Sequence, residues 1–184
     1  MVVNSNFKLL LLLFLFFKFS TGYSQKVEKL YTNTNILEVY SNNKKSLVHY
    51  ENDLDTGWGI EINSLHGIFI LKKFVLSAGV GLNFNINENF KSLPVIAEVR
   101  YNFNDFGINS PFVLLNTGKN IEIGSFQPGQ TAKLGFGYNF ESDANFQYTI
   151  EFFLKSKTYY TNKIPGIDYN YPTQGYGISV GINL

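Results

Sequence analysis

The sequence predicts an all-β chain: an eight-stranded antiparallel up-and-down transmembrane β-barrel that follows a cleaved signal peptide. Three observations carry this. Apolar residues recur at every second position along most of the chain, as in Phe74, Leu76, Ala78, Val80, Leu82, Phe84 and Ile86, and in an extended strand a period of two puts one kind of side chain on each face. The residues between them are small or polar (Ser77, Gly79, Gly81, Asn83, Asn85), which suits the crowded interior of a narrow barrel whose other face meets lipid. Composition agrees, with 16 Gly, 18 Phe and 12 Tyr against one Met and one Trp, a balance that favours strands over a helical core.

The 184 residues make one domain behind a targeting segment. Lys8 precedes an apolar run from Leu9 to Phe17, well short of the roughly 20 residues a membrane helix needs. Small residues at Gly22 and Ser24 suit signal peptidase, so residues 1–24 read as a signal peptide and 25–184 as the barrel domain. Lys8 and Lys18 leave with the signal and no acid does, so 15 basic and 14 acidic residues become 13 and 14. Such a balance offers no footprint for nucleic acid. Cys is 0, which removes thiol chemistry, a lipidated cysteine and disulfides, and a sheet closed on itself supplies the missing rigidity by pairing every backbone group.

The strands follow in order. Residues 31–41 form the least regular one: Tyr31, Leu37 and Val39 share a face, Glu38 points the other way, and Asn33 and Asn35 disturb the alternation. Residues 42–55 are a long polar connection. In 57–70, Trp58, Ile60, Ile62, Ile68 and Ile70 oppose Gly57, Gly59, Glu61 and Asn63, and Lys72–Lys73 turn into strand 74–86. After a loop at 87–91, strand 93–103 sets Leu93, Val95, Ala97, Val99, Tyr101 and Phe103 against Pro94, Ile96, Glu98, Arg100 and Asn102. Turn chemistry at 104–110 leads to 112–121, whose facing stays open because Val113, Leu114 and Leu115 are consecutive. A Pro-Gly loop at 124–130 precedes strand 132–140, where Leu134, Phe136 and Tyr138 oppose Lys133, Gly135 and Gly137. Beyond 141–145, Tyr148, Ile150, Phe152 and Leu154 oppose Thr149, Glu151, Phe153 and Lys155. A Tyr- and Pro-rich loop at 160–173 leads to the last strand, where Tyr176, Ile178, Val180, Ile182 and Leu184 oppose Gly175, Gly177, Ser179, Gly181 and Asn183. Eight is an even number, and connections after strands two, four and six are short while three of the four others are longer, the asymmetry of short periplasmic turns and longer external loops; the connection after strand three breaks the trend.

Gly-x-Gly recurs at 57/59, 79/81, 135/137 and 175/177 on the polar face. A nucleotide cradle needs a third glycine and a following helix, and neither is present, so these glycines make room for long residues in a lumen barely wide enough for its own side chains. The long residues are Glu61, Glu98, Arg100, Lys133, Glu151 and Lys155. Buried charges persist when paired, so a mixed-sign network is expected to fill the lumen. Aromatic residues gather at strand ends: Phe74, Tyr101, Phe103, Tyr138, Phe140, Phe146 and Tyr148 at the periplasmic edge, and Trp58, Phe84, Tyr159 and Tyr176 at the outer one, as two interfacial girdles.

The alternating strands with Gly-x-Gly pairs, Leu93-Pro94-Val95 leading into Arg100-Tyr101-Asn102-Phe103, Ser110-Pro111-Phe112, and the ending Gly177 to Leu184 resemble the small outer-membrane β-barrel domain proteins, similar in plan to the eight-stranded OmpA-type barrels. The resemblance implies a Gram-negative cell outer membrane as the address and outer-membrane lipid as a partner. It implies recognition of the C-terminal strand by the barrel-assembly machinery, although the family usually closes on Phe and this chain closes on Leu184. The function expected is non-enzymatic, structural or surface-interacting, with a plugged polar lumen and no cofactor, in a monomer whose external ligand the sequence does not name. One alternative is a lipid-modifying outer-membrane enzyme, which needs a base beside a hydroxyl. The histidines are His49, on a loop with Ser46, Asp53 and Asp55, and His66, on the lipid-facing side with Ser64 and with no acid in register. The other is a secreted soluble lipid-binding β-barrel, which would carry its charges outside. No His or acid cluster suggests a metal.

Overall fold

In a computed structural model that describes residues 31–44, 57–86, 91–105, 109–142, 146–164 and 167–184, eight antiparallel strands close on one another in sequence order: β1 (Tyr31–Lys44), β2 (Gly57–Leu71), β3 (Phe74–Asn85), β4 (Lys91–Asn102), β5 (Ser110–Ile121), β6 (Gly129–Glu141), β7 (Gln147–Ile164) and β8 (Ile167–Asn183). β8 closes the cylinder against β1, with Thr34 opposite Asn183 and Leu37 opposite Val180. Reciprocal backbone bonds seal the seam, Leu184 N–H to Asn33 O at 2.8 Å and Asn33 N–H to Leu184 O at 3.1 Å. The signal segment 1–24 and the loop residues Ser46, His49, Asp53 and Asp55 lie outside the described residues.

The burial pattern gives the cylinder its inside and outside. Leu134, Phe136 and Leu154 are 58%, 60% and 62% exposed, whereas Glu38, Glu61 and Glu151 are fully buried. Leu76, Val80, Phe84 and Ile150 also face outward. This is the reverse of a water-soluble core, because the hydrocarbon side chains surround the wall and the ions occupy the centre. On β5, Phe112, Leu114 and Asn116 point inward and Val113 and Leu115 outward. Three consecutive apolar residues could not decide this, but the register does, since Leu114 sits between inward-facing Arg100 of β4 and Gly135 of β6. In β1, Thr32 and Thr34 turn inward and bond Asn183 Oδ1, so the asparagines at 33 and 35 fall on the opposite side.

Pro94 sits in the middle of β4 and tests the rule that proline is excluded from central strands. Its cost is local. The ladder between β3 and β4 runs to Val80–Val95 and resumes at Asn83–Ser92, so the missing donor falls in a gap of the pairing, beside Gly81.

Two expectations are corrected. Residues 160–173 are not a loop: β7 and β8 continue as a paired ribbon through Tyr160–Asn170, Thr161–Tyr169 and Ile164–Ile167. β7 loses its neighbour β6 after Gly129–Tyr159, and β8 loses β1 after Lys44–Thr173. The ribbon therefore stands beyond the rim, held by the strand preference of Tyr, Thr and Ile, and Pro172 lies where β8 no longer pairs with β1, a position open to proline. The second concerns Tyr159, which is buried in the lumen and belongs to no girdle. It is in phase with Glu151, Phe153 and Lys155, and an unbroken strand keeps that phase.

Glycine shapes the interior. A Cβ on Gly59 would overlap the Tyr40 ring, one on Gly177 would meet Phe153 and Tyr40, and one on Gly135 would meet the Glu151 carboxylate. The space serves aromatic rings as much as charges. Gly137→Ala is expected to destabilise the barrel by about 1–3 kcal/mol, because its Cβ would fall 2.3 Å from Ile150 O and 2.5 Å from the Phe112 ring. Urea unfolding from lipid vesicles measures this, and an unchanged midpoint would mean that the lumen is loosely filled.

Candidate functional site

The site is the ionic lumen, and it begins with two like-charged hairpins. Glu38 of β1 is directly opposite Glu61 of β2, and Lys133 of β6 is directly opposite Lys155 of β7. On a flat sheet, like charges placed this way repel. Closing the sheet sets the acidic hairpin against the basic one across the centre. Lys133 Nζ then lies 2.8 Å from Glu38 and 3.0 Å from Glu151. Lys155 pairs with Glu38 and stands 2.9 Å from Glu61, and Lys157 stands 2.6 Å from Glu61. The result is one chain of alternating sign, Glu151–Lys133–Glu38–Lys155–Glu61–Lys157.

Neutral groups complete it. Asn63 donates to Glu38 at 3.1 Å, Asn83 donates to Glu61 at 3.0 Å, and Ser179 donates to Glu151 at 3.0 Å. Lys157 also donates to the Tyr40 hydroxyl at 2.8 Å. The lysine heads rest against rings: Lys133 is 5.2 Å from the Phe153 centroid, and Lys155 and Lys157 are 5.1 and 4.6 Å from that of Tyr40, within reach of cation–π attraction. Glu98 and Arg100, two apart on β4, form a separate pair at 3.1 Å, with the guanidinium 4.5 Å from the centroid of Phe112. Among the described residues the buried charges are four carboxylates (Glu38, Glu61, Glu98, Glu151) and four cations (Arg100, Lys133, Lys155, Lys157), so these eight formal charges balance.

Glu61, Glu98, Arg100, Lys133, Glu151 and Lys155 thus all lie inside the wall, five of them in contact with an opposite charge on another strand or, for Glu98 and Arg100, on their own; the sixth, Lys155, joins both acids of the β1–β2 hairpin. Glu38 and Lys157 are the members that sequence reasoning missed. Glu38 interrupts Leu37 and Val39 as Glu98 interrupts Ala97 and Val99, so its signal was present. Lys157 continues the inward phase of Glu151 and Lys155 and needed only the full length of β7.

His66 does not meet Ser64. Its Nδ1 shares a hydrogen bond with the Tyr31 hydroxyl, on the outward face, with the rings 5.9 Å apart. Among the described residues no group of three His, Asp or Glu is placed to hold a metal ion. The rim nearest the β2–β3 turn carries paired rings facing outward, Phe74–Tyr101 at 4.8 Å, Tyr101–Phe103 at 5.2 Å, Tyr138–Phe140 at 4.9 Å and Phe146–Tyr148 at 5.1 Å between centroids. Trp58, Phe84 and Tyr176 face outward toward the other rim.

A closed antiparallel cylinder with hydrocarbon outside, ions inside and aromatic rims is a transmembrane β-barrel of the outer-membrane class, and its place is the outer membrane. One solved structure bears out the architecture. The chain is similar to Neisserial surface protein A, at 11% identity with a TM-score of 0.61 over 84% of this chain and 96% of that one. Similarity extends to the N-terminal β-barrel domain of Pseudomonas aeruginosa OprF (16% identity, TM-score 0.43, 82% and 97% covered) and to the outer membrane protein OprG of the same organism (10%, 0.38, 84% and 96%). At such identity the likeness is one of fold. No family model matches the sequence, and no curated protein matches it.

Proposed function

We propose that this barrel is a non-enzymatic, structural or surface-interacting protein of the outer membrane whose lumen is plugged rather than conducting. The observation that carries this is the neutral ion-pair chain: Lys133 bridges Glu38 and Glu151, and Lys155 bridges Glu38 and Glu61. A solute would have to break several buried pairs at once, each costly to separate. In this reading residues 1–24 are removed on export, 25–184 insert as a monomer, and the C-terminal strand is the part that the barrel-assembly machinery engages. The end carrying the β1–β2 and β5–β6 connections and the β7–β8 ribbon faces outward and meets the external ligand. Of the two histidines that the enzymatic alternative would draw on, His66 is engaged with Tyr31 on the outer wall, which favours the non-enzymatic reading, and His49 lies outside the described residues.

The absence of cysteine makes single-cysteine labelling clean. Ser125→Cys, in the exposed β5–β6 connection, is expected to react with a membrane-impermeant maleimide in intact cells, and Glu141→Cys, at the opposite rim, only after the membrane is opened. The reverse pattern would invert the topology. In planar bilayers the purified chain is expected to give no unitary conductance, and steady ion-selective steps would refute the plug.

A further inference from the structure

We propose that a second copy of this chain docks on the outer wall of β1 and β2, giving a two-fold symmetric pair in the plane of the membrane. On this wall the rule of hydrocarbon outward fails. Asn33 lies opposite His66 and Asn35 opposite Ser64, all four turned outward and half-buried or exposed. Hydrocarbon surrounds them: Ile182 of β8 is opposite Asn35, and Ala78 and Val80 of β3 are opposite His66 and Ser64. Along β2, the outward Ile68 and Ile70 separate His66 from the rim of paired rings, and Ile62 follows Ser64 on the other side. The polar groups therefore stand within the belt and not at its edge.

An unpaired polar group is costly in hydrocarbon, and these four satisfy one another only in part. Asn35 Nδ2 donates to Asn33 Oδ1 at 3.3 Å, and His66 Nδ1 is taken by the Tyr31 hydroxyl. Asn35 Oδ1, Asn33 Nδ2, His66 Nε2 and the Ser64 hydroxyl have no side-chain partner among the described residues. Amide, hydroxyl and imidazole each offer donor and acceptor, so the patch is complementary to itself. Acyl chains offer neither. Copies inserted with the same end outward can be related only by a two-fold axis along the membrane normal. That axis keeps depth and sets β1 of each copy against β2 of the other, so the asparagines of one face Ser64 and His66 of the second, twice over. The short side chains at Asn33, Asn35, Ser64 and Ala78 let the two walls approach, as small and polar residues do between spanning segments. Pairing follows insertion of the single chain, and the inference rests on the membrane placement.

Cysteine is absent from the chain, so Ala78→Cys, beside the patch, supplies a single thiol. In phosphatidylcholine vesicles at low protein-to-lipid ratio, a short bis-maleimide is expected to link Ala78→Cys into dimers. Leu115→Cys, outward on β5 across the cylinder from β1, is expected to stay single. Energy transfer between labelled chains measures the association itself. Asn33→Leu with Asn35→Leu is expected to weaken it about tenfold, while Val113→Leu, outward on β5, leaves it unchanged. Leucine suits an outward position in the belt, so the double variant keeps its fold, and its strand signal by circular dichroism confirms this. A chain that stays single at every protein-to-lipid ratio, equal linking at both cysteines, or association untouched by the double variant would each overturn the proposal. So would a purified chain that stays single while Ala78→Cys is linked to a different protein in native membranes, since the patch would then have another occupant. A chain that fails to enter vesicles would instead refute the membrane placement beneath it.

Discussion

Lys133→Met is expected to lower the unfolding free energy by about 3–5 kcal/mol, because it leaves buried carboxylates without their partner. Lys133 is the only cation within 3.0 Å of Glu151 among the described residues, and it shares Glu38 with Lys155. Methionine keeps the length and the apolar stem, so packing against Phe153 survives and the loss isolates charge. The double variant Lys133→Met/Glu151→Gln restores neutrality and is expected to recover most of the loss, since an ion pair replaced as a unit is often nearly neutral. Lys72→Met supplies the contrast. Its partner Asp105 is 3.8 Å away and both are well exposed, so its removal should change stability by about 0.5 kcal/mol or less. Urea unfolding from lipid vesicles, followed by Trp58 fluorescence, reads all three. A Lys133→Met change as small as that of Lys72→Met would show that water and not the lysine satisfies the carboxylates.

The strands were legible because a narrow barrel imposes one rule on each residue: hydrocarbon outward, anything small or charged inward. Glu98 and Arg100 stood out against Val95, Ala97, Val99 and Tyr101 for that reason. What alternation cannot carry is the pairing across the lumen. Glu38 and Lys133 are 95 residues apart and on strands that are not neighbours, and their meeting depends on the stagger with which the sheet closes. Read locally, the two hairpins even look unfavourable, with acid opposite acid and lysine opposite lysine.

The same limit explains Tyr159 and the ribbon. Tyrosine suits a membrane interface and a lumen equally well, so residue type alone sent Tyr159 to the rim, while strand phase sends it inside, where its hydroxyl lies 3.4 Å from Asn83 Oδ1. Pro172 and the asparagines at 162 and 170 carry loop signals, yet each strand of a hairpin is held by its partner. β7 and β8 therefore keep pairing after both have lost their other neighbours.

Val80→Arg is expected to destabilise the barrel in a bilayer by about 2–4 kcal/mol, and Phe103→Arg, at the aromatic rim, by about 0–1 kcal/mol. Val80 is 54% exposed and stands between the ring-bearing ends of β3, Phe74 and Phe84, with Ser64 and Val95 beside it. The physical distinction is the solvent. If water bathed this face, exchanging an exposed valine for arginine would remove an exposed apolar side chain and change stability by about 0.5 kcal/mol or less. In hydrocarbon the guanidinium finds no carboxylate on the outward faces paired with Val80, only the neutral Ser64 hydroxyl, and must snorkel toward a rim, which Val80 is poorly placed to allow and Phe103 needs hardly at all. The gradient between the two positions therefore reads depth as well as sign. Reversible unfolding from vesicles of one lipid thickness measures both variants under the same reference state. Equal and small effects at Val80 and Phe103 would mean that lipid does not surround the wall, and the ionic centre would then need another explanation.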